Sequence, residues 1–381
     1  AFFEAMSGLT TTGSTVLSGL ETLPKGLLLW RGILQWLGGI GIIVVAMVFL
    51  PELRVGGMQI FKAEAFDTLG KILPRATTIS IQISFIYVSI TMACIVAYFS
   101  VGMSAFDATV HAMTTVATGG FSNYDSSFAA FPAAVEYVAV VFMILAALPF
   151  VRYVQLLNGN QTAVFKDAQV RSFLIVIFAL VVITALVLLS FGQLENETAV
   201  RKALFNITSI ISGTGYASSD YMQWGSFLVT LFFFIGLIGG CAGSTACSVK
   251  IFRYQLVFAS VKTQLMKIKS PNGVFVPQYD GRAIDDEVLN SVMSFFTFFL
   301  ATLGAVAVLL GMTGLDFITS LSAAASALAN IGPGLGPEIG PTGNFSGLND
   351  TAKWILSAAM LIGRLELLAV YAILTVQFWR A

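Results

Sequence analysis

The chain has 381 residues, of which 57% are hydrophobic and 10% charged, and its mean hydropathy of +0.86 leaves too little polar surface for a soluble globule. Twenty Lys and Arg balance twenty Asp and Glu, so no basic excess points to nucleic acid. The three cysteines, Cys94, Cys241 and Cys247, show no CxxC spacing and indicate neither a metal site nor a disulfide framework.

Taken in chain order, a short small-residue helix around Ala5-Met6-Ser7 leads into Thr11-Thr12-Gly13-Ser14. Residues 30–50 form an apolar span in which Gly38-Gly39-Ile40-Gly41 predicts close backbone approach, and a second span covers 77–100. The next short helix, whose Ala112-Met113-Thr114 echoes the first, leads into Thr118-Gly119-Gly120-Phe121. Its His111, the only histidine, reads as packing or hydrogen-bonding, and Asp107 as a helix cap beside Ser104. Spans at 132–156 and 172–191 precede the third segment, Gly213-Thr214-Gly215-Tyr216. The run 224–258 is interrupted by Ile238-Gly239-Gly240-Cys241-Ala242-Gly243-Ser244-Thr245-Ala246-Cys247-Ser248, which predicts a helix broken in mid-membrane and a loop that blocks or opens a path. Span 289–311, a short helix capped by Asp316, the segment Asn330-Ile331-Gly332-Pro333 and span 352–378 complete the order. Each span has the ~20 residues that cross the hydrocarbon, which gives seven membrane passages.

A hydroxyl residue precedes one glycine of each segment by six positions: Ser7 before Gly13, Thr114 before Gly120, Ser209 before Gly215, Ser326 before Gly332. The glycines are 107, 95 and 117 residues apart, and two spans separate each pair, so all four segments face one compartment. The predicted fold is an all-α polytopic membrane protein of four parallel helix/pore-loop/helix repeats around a pseudo-fourfold pore. Repeat 1 occupies 1–51, repeat 2 77–156, repeat 3 172–258 with a broken inner helix, and repeat 4 289–381. Cytoplasmic linkers fill 52–76, 157–171 and 259–288. The outer helix of repeat 1 is missing from the chain on this reading, which makes the sequence a fragment.

Orientation follows from the cations. The linker side carries thirteen: Arg54, Lys62, Lys71, Arg75, Arg152, Lys166, Arg171, Lys250, Arg253, Lys262, Lys267, Lys269 and Arg282. The segment side carries five: Lys25, Arg31, Arg201, Lys202 and Lys353. Positive loops stay inside, so the glycine segments face outward.

Irregular backbone at membrane depth must line a cavity or be wrapped in protein. Glycine permits positive φ, which turns a carbonyl toward the axis, and four copies make a ring of oxygens for a dehydrated cation. The expected ligands are the carbonyls of Thr12, Gly13, Gly119, Gly120, Thr214, Gly215, Ile331 and Gly332, with Thr118 in the same wall. Gly119 rivals Gly120 as the repeated glycine, and the shared Ala-Met-Thr favours Gly120. No carboxylate ring accompanies them, which favours a monovalent ion over Ca²⁺. Arg364 lies inside the last span, where a cation costs ~2.5–3.5 kcal/mol, so it faces the bundle interior. It is either a fixed charge beneath the ring or half of a structural pair. On a continuous helix Glu366 would point elsewhere. One histidine and scattered carboxylates form no catalytic constellation, so no enzyme and no cofactor is expected.

The four loops, Trp36-Leu37-Gly38-Gly39-Ile40-Gly41, the Gly239 to Thr245 loop with Lys250, the stretch Pro271 to Ile284 and Gly363-Arg364 together resemble the Trk/Ktr/HKT superfamily of potassium transporters. Within it, the bacterial TrkH-type subunits are most similar. The resemblance implies K⁺ as the transported ion and a homodimer in the bacterial inner membrane, each protomer holding its own pore. It also implies a cytoplasmic nucleotide-binding regulatory subunit of the TrkA type, and a gate formed by Gly239, Gly240, Gly243, Ser244 and Thr245 beside Arg364. The alternative is a secondary transporter coupling K⁺ to H⁺ or Na⁺.

Overall fold

The computed structural model describes residues 1–48, 76–192, 194–375 and 379. Arg54, Lys62, Lys71 and Arg75 of the expected linker 52–76 lie outside the described residues, as do the ends of the expected repeats 1–51 and 289–381.

The elements run α1 (Phe2–Leu9), α2 (Lys25–Val48), α3 (Ala76–Ser100), α4 (Ala105–Val116), α5 (Ala133–Ala147), α6 (Phe150–Leu157), α7 (Ala163–Lys166), α8 (Ala168–Ser190) and α9 (Asn196–Ile211). There follow α10 (Ser226–Gly236), β1 (Ile238–Gly239), β2 (Val249–Lys250), α11 (Ile251–Lys269) and the antiparallel hairpin of β3 (Gln278–Tyr279) and β4 (Arg282–Ala283). The last helices are α12 (Asp286–Met312), α13 (Phe317–Ala329), α14 (Asp350–Arg364) and α15 (Leu367–Leu374).

Local chemistry explains where the helices start. The Ser104 hydroxyl accepts from Asp107 N at the head of α4, and Asp316 accepts from Ile318 N and Thr319 N at the head of α13. Asp316 is thus the cap expected of it, whereas Asp107 is not. Its carboxylate instead accepts from Ser104, Asn123 and Tyr124.

The short helices α1, α4, α9 and α13 each pack against the inner helix that follows them and the inner helix of the preceding repeat. Thus α4 touches α2 and α5, α9 touches α5 and α10, α13 touches α10 and α14, and α1 touches α2 and α14. That last contact closes a ring, so the four units surround one axis. Helix α13 fits this place with small side chains: Ala323, Ala324, Ala325, Ala327 and Ala329 are all buried. The outer faces of α3 and α8 expose Ile81, Phe85, Val96, Ile175 and Phe178, the apolar exterior that suits lipid.

Among the described residues four helices are long and apolar enough to cross a membrane: 25–43, 80–100, 168–190 and 286–312. The expected spans 132–156 and 352–378 are not continuous helices. They are the bent pairs α5/α6 and α14/α15, angled by 87° and 106°. Pro149 has no N–H and its ring clashes with the preceding turn, which accounts for the first break. Glu366, with φ 61°, occupies the second. The third inner helix breaks as expected, but its ends are pinched together: Ile238 pairs with Val249 and Gly239 with Lys250 in a parallel ladder. Helix α11 continues to Lys269, well into the stretch 259–288 expected as a linker.

Two cations also sit differently from the orientation count. Arg31 is 2% exposed within α2, bonded to Glu4 at 2.9 Å, and Arg253 is 1% exposed and bonded to Glu366 at 2.7 Å. Neither is a free loop charge.

Candidate functional site

Each short helix runs out in the same way. The residue before the repeated glycine donates its N–H to the carbonyl of the hydroxyl residue five positions back: Thr12 to Ser7 (2.9 Å), Gly119 to Thr114 (2.8 Å), Thr214 to Ser209 (2.9 Å) and Ile331 to Ser326 (3.0 Å). The residue two before the glycine is left-handed in every copy: Thr11 (φ 51°), Thr118 (49°), Gly213 (74°) and Asn330 (51°). The glycines follow with positive φ: Gly13 (87°), Gly120 (77°), Gly215 (78°) and Gly332 (110°). This identifies Gly120, not Gly119, as the equivalent of the other three. Of the three left-handed positions that are not glycine, Asn330 suits this helix-capping conformation, whereas the β-branched Thr11 and Thr118 carry a strain of ~1–3 kcal/mol each that the surrounding packing must hold.

The hydroxyls that marked the alignment are not equivalent. Ser209 Oγ donates to Tyr216 O (2.7 Å) and Ser326 Oγ to Gly332 O (2.9 Å), while Thr114 Oγ1 meets the Tyr216 hydroxyl. Ser7 Oγ has no hydrogen-bond partner among the described residues. What repeats is the backbone bond.

The glycines face one another in a closed cycle. A Cβ on Gly13 would strike the carbonyl oxygen of Gly119, one on Gly120 that of Thr214, and one on Gly215 that of Ile331. One on Gly332 would lie 2.8 Å from the carbonyl oxygen of Thr12, which completes the circle. The carbonyls of Thr12, Gly119, Thr214 and Ile331 are thus brought together, each against the glycine of the preceding segment. Above them a cavity of ≈ 170 Å³ is lined by all four glycines, Ser14 and Asp125.

Buried side chains brace the ring from behind. Gln35 fills the space beside Gly119, donating to its carbonyl (2.5 Å) and accepting from Phe121 N (3.0 Å). Arg31 bonds Glu4 and the Ser122 carbonyl, each at 2.9 Å, and stacks on Phe121, while Glu4 accepts from Val16 N (2.9 Å). One ion pair therefore ties the first loop to the second. His111 is hydrogen-bonded at both nitrogens, to Asp107 O (2.9 Å) and Ser122 Oγ (3.0 Å), in the structural role expected of it.

Below the ring lies the segment between β1 and β2. Gly240, Gly243, Ser244 and Thr245 belong to it, Gly239 ends the β1 strand that leads into it, and it docks into the break between α5 and α6. Cys241 N donates to Ala147 O (3.0 Å), Thr245 N and Oγ1 to Ala146 O (3.3 and 3.0 Å), and Phe150 N to Gly243 O (2.9 Å). Pro149 and the bend leave the Ala146 and Ala147 carbonyls without helical donors, and the loop supplies them. Cys247 reaches highest: its Sγ is 3.5 Å from Thr11 Oγ1, and a Cβ on Gly213 would stand 2.9 Å from its Cβ. Those contacts belong to the first and third segments, opposite one another in the cycle, so Cys247 lies across the axis.

Arg364, at the end of α14, reaches the same loop. Nη1 donates to Cys247 Sγ (2.7 Å) and Thr245 O (3.3 Å), and Nη2 to Gly38 O (3.3 Å). Among the described residues no carboxylate pairs with it, and Nε is buried without a partner. Glu366 is held off by the helix break and by Arg253, a different reason from the helical spacing that had set it aside. Close approach holds at Gly38 and Gly39, where a Cβ would strike Leu9 O and come within 2.9 Å of Ala117 Cα, but the space beside Gly41 is open.

Gln35, Pro149 and the Arg31–Glu4 pair were not singled out from the sequence, and Cys247 was read only as one residue of the interrupting run. Of these only Pro149 carried a usable signal, the helix-breaking ring inside an apolar run.

Residues 1–378 match the sequence profile of the TrkH family, described as a cation transport protein. The chain is 45% identical over 383 residues to the Trk system potassium uptake protein TrkI of Halomonas elongata, covering 100% of this chain and 77% of that protein. It is 38% identical to the Trk system potassium uptake protein TrkH of Vibrio parahaemolyticus and 37% to that of Escherichia coli, each over 100% of this chain and 79% of the relative. The crystal structure of the potassium transporter TrkH from Vibrio parahaemolyticus superimposes with a TM-score of 0.89 at 35% identity, over 99% of this chain and 78% of that one.

Proposed function

The chain belongs to the TrkH family of cation transport proteins, a family of membrane transporters rather than enzymes, and we propose that it takes up potassium ions through a selective pore along the axis of its four repeats. The observation that carries this reading is the closed cycle of glycines and carbonyls. A dehydrated K⁺ needs several oxygens at one level, and four carbonyls from four segments supply them without a charged ligand. Thr12, Gly13, Thr118, Gly119, Gly120, Thr214, Gly215, Ile331 and Gly332 form this filter. Glycine is required at the repeated position twice over, for positive φ and because any Cβ would strike the next segment's carbonyl.

The loop of Gly239, Gly240, Gly243, Ser244 and Thr245 is the gate, shut in this conformation with Cys247 under the filter and Arg364 as its pin. Opening it means withdrawing the loop from Ala146, Ala147 and Arg364 together. The protein works in the bacterial inner membrane as a homodimer, and a TrkA-type nucleotide-binding subunit acts on it from the cytoplasm. The names of the relatives, which place them in a Trk system, support a multi-component assembly.

The test is cation flux into liposomes holding the full-length protein at a clamped potential, comparing K⁺, Rb⁺, Na⁺ and Li⁺. Selective K⁺ and Rb⁺ entry without another gradient is expected, and Gly120→Ser and Gly215→Ser each lower K⁺ over Na⁺ selectivity. Flux that waits for a proton or sodium gradient makes the protein a coupled carrier. Unchanged permeability ratios in both variants remove the filter assignment.

A further inference from the structure

The eight carbonyls of the proposed filter are not chemically alike. Among the described residues no donor reaches the carbonyls of Thr12, Gly13, Gly120, Thr214, Gly215 or Ile331, and Gly119 O accepts one bond, from Gln35. Gly332 O accepts two, from Ser14 Oγ (2.8 Å) and Ser326 Oγ (2.9 Å). A carbonyl oxygen has two lone pairs, so Gly332 O has none left for an ion. Backbone geometry agrees: Gly332 has φ 110°, against 77–87° for the other three glycines. A Cβ on it would stand 2.8 Å from the facing carbonyl, farther than at the other three positions. Pro333 follows, which fixes the next φ and offers no N–H.

We infer that at the glycine level the ion is held by three carbonyls, those of Gly13, Gly120 and Gly215, and that Ser14 is the specificity-determining residue that takes the fourth away. This inference rests on the filter reading proposed above. Ser14 is 2% exposed, belongs to the first segment and reaches across to the fourth. Ser326, by contrast, also accepts from Gly332 N (3.2 Å), so its hydroxyl has a local structural task. The fourth quarter of the site borders the outer cavity that Ser14 and Gly332 both line, from which water completes the ion's shell. Selectivity depends on the number and field strength of the oxygens around the ion. A site of three carbonyls plus water favours K⁺ over Na⁺ less than one of four carbonyls, because water follows the smaller ion inward and a fixed carbonyl does not.

The experiment replaces Ser14 in the full-length protein and measures K⁺/Na⁺ and Rb⁺/Na⁺ permeability ratios in liposomes. Ser14→Ala frees one lone pair of Gly332 O and raises both ratios by about twofold to twelvefold, the equilibrium weight of one neutral hydrogen bond. Ser14→Thr keeps the donor and keeps the wild-type ratios, and Ser14→Cys, with a weak donor, falls between. A rise is diagnostic because a substitution that merely loosened the filter would lower selectivity. Ratios unchanged or lowered in folded Ser14→Ala and Ser14→Cys, while Gly120→Ser still lowers them, overturn the three-carbonyl inference alone. If Gly120→Ser also leaves the ratios unchanged, the filter reading itself fails.

Discussion

Replacing Arg364 by alanine should open the path without unfolding the protein. Its guanidinium makes two contacts to the loop, to Cys247 Sγ at 2.7 Å and Thr245 O at 3.3 Å, and one to Gly38 O on α2 at 3.3 Å. A bond from a charged donor contributes about 1.5–3 kcal/mol. The thiol sulfur is a weak acceptor, so the pair is counted as one such bond, the one to Thr245 O. Losing ~1.5–3 kcal/mol from the closed conformation alone shifts the closed/open equilibrium by about 10- to 150-fold, and basal K⁺ flux rises accordingly. Global stability should change less. Arg364 is a buried cation without a carboxylate partner among the described residues, and removing it also removes a desolvation cost of several kcal/mol. The assay is K⁺ flux into liposomes at a clamped potential, beside a melting curve in detergent. Arg364→Lys should give an intermediate flux, because one ammonium cannot span Cys247 and Gly38 as the planar fork does. Arg364→Ala that melts like the wild type and conducts no faster would refute the pin.

Pro149→Ala lets α5 and α6 rejoin in part and draws the Ala146 carbonyl away from Thr245, so basal flux should rise, read in the same liposomes; unchanged flux would mean that the loop does not depend on that break. Glu4→Gln leaves Arg31 buried without its carboxylate and should cost about 3–5 kcal/mol, visible as a marked fall in melting temperature; a fall within error would show that Ser122 O alone suffices for Arg31.

How much of the site was legible in the sequence depends on which residue type each position demanded. Gly13, Gly120, Gly215 and Gly332 could be read because two constraints, positive φ and contact with a neighbouring carbonyl, admit only glycine. The left-handed partners two residues earlier were invisible as a set, because Asn330 suits that conformation but Thr11 and Thr118 hold it by packing rather than by preference. The hydroxyl register pointed to the right alignment although its side chains share no common contact; the bond that repeats runs through the backbone, which any residue supplies.

The sequence by itself determined the membrane class, the four parallel repeats, the break of the third inner helix and the glycine of every segment but the second, where Gly119 rivalled Gly120; these follow from local hydropathy and from conformations one residue type can adopt. Only the tertiary structure decided the rest. Cys247 sits under the ring, Arg364 grips the loop rather than a carboxylate, Glu366 turns to Arg253 113 residues away, and Ser14 caps the carbonyl of Gly332 318 residues on. These contacts join repeats that meet only once the ring has closed, and no local pattern of charge or periodicity encodes which partner a buried polar group will find.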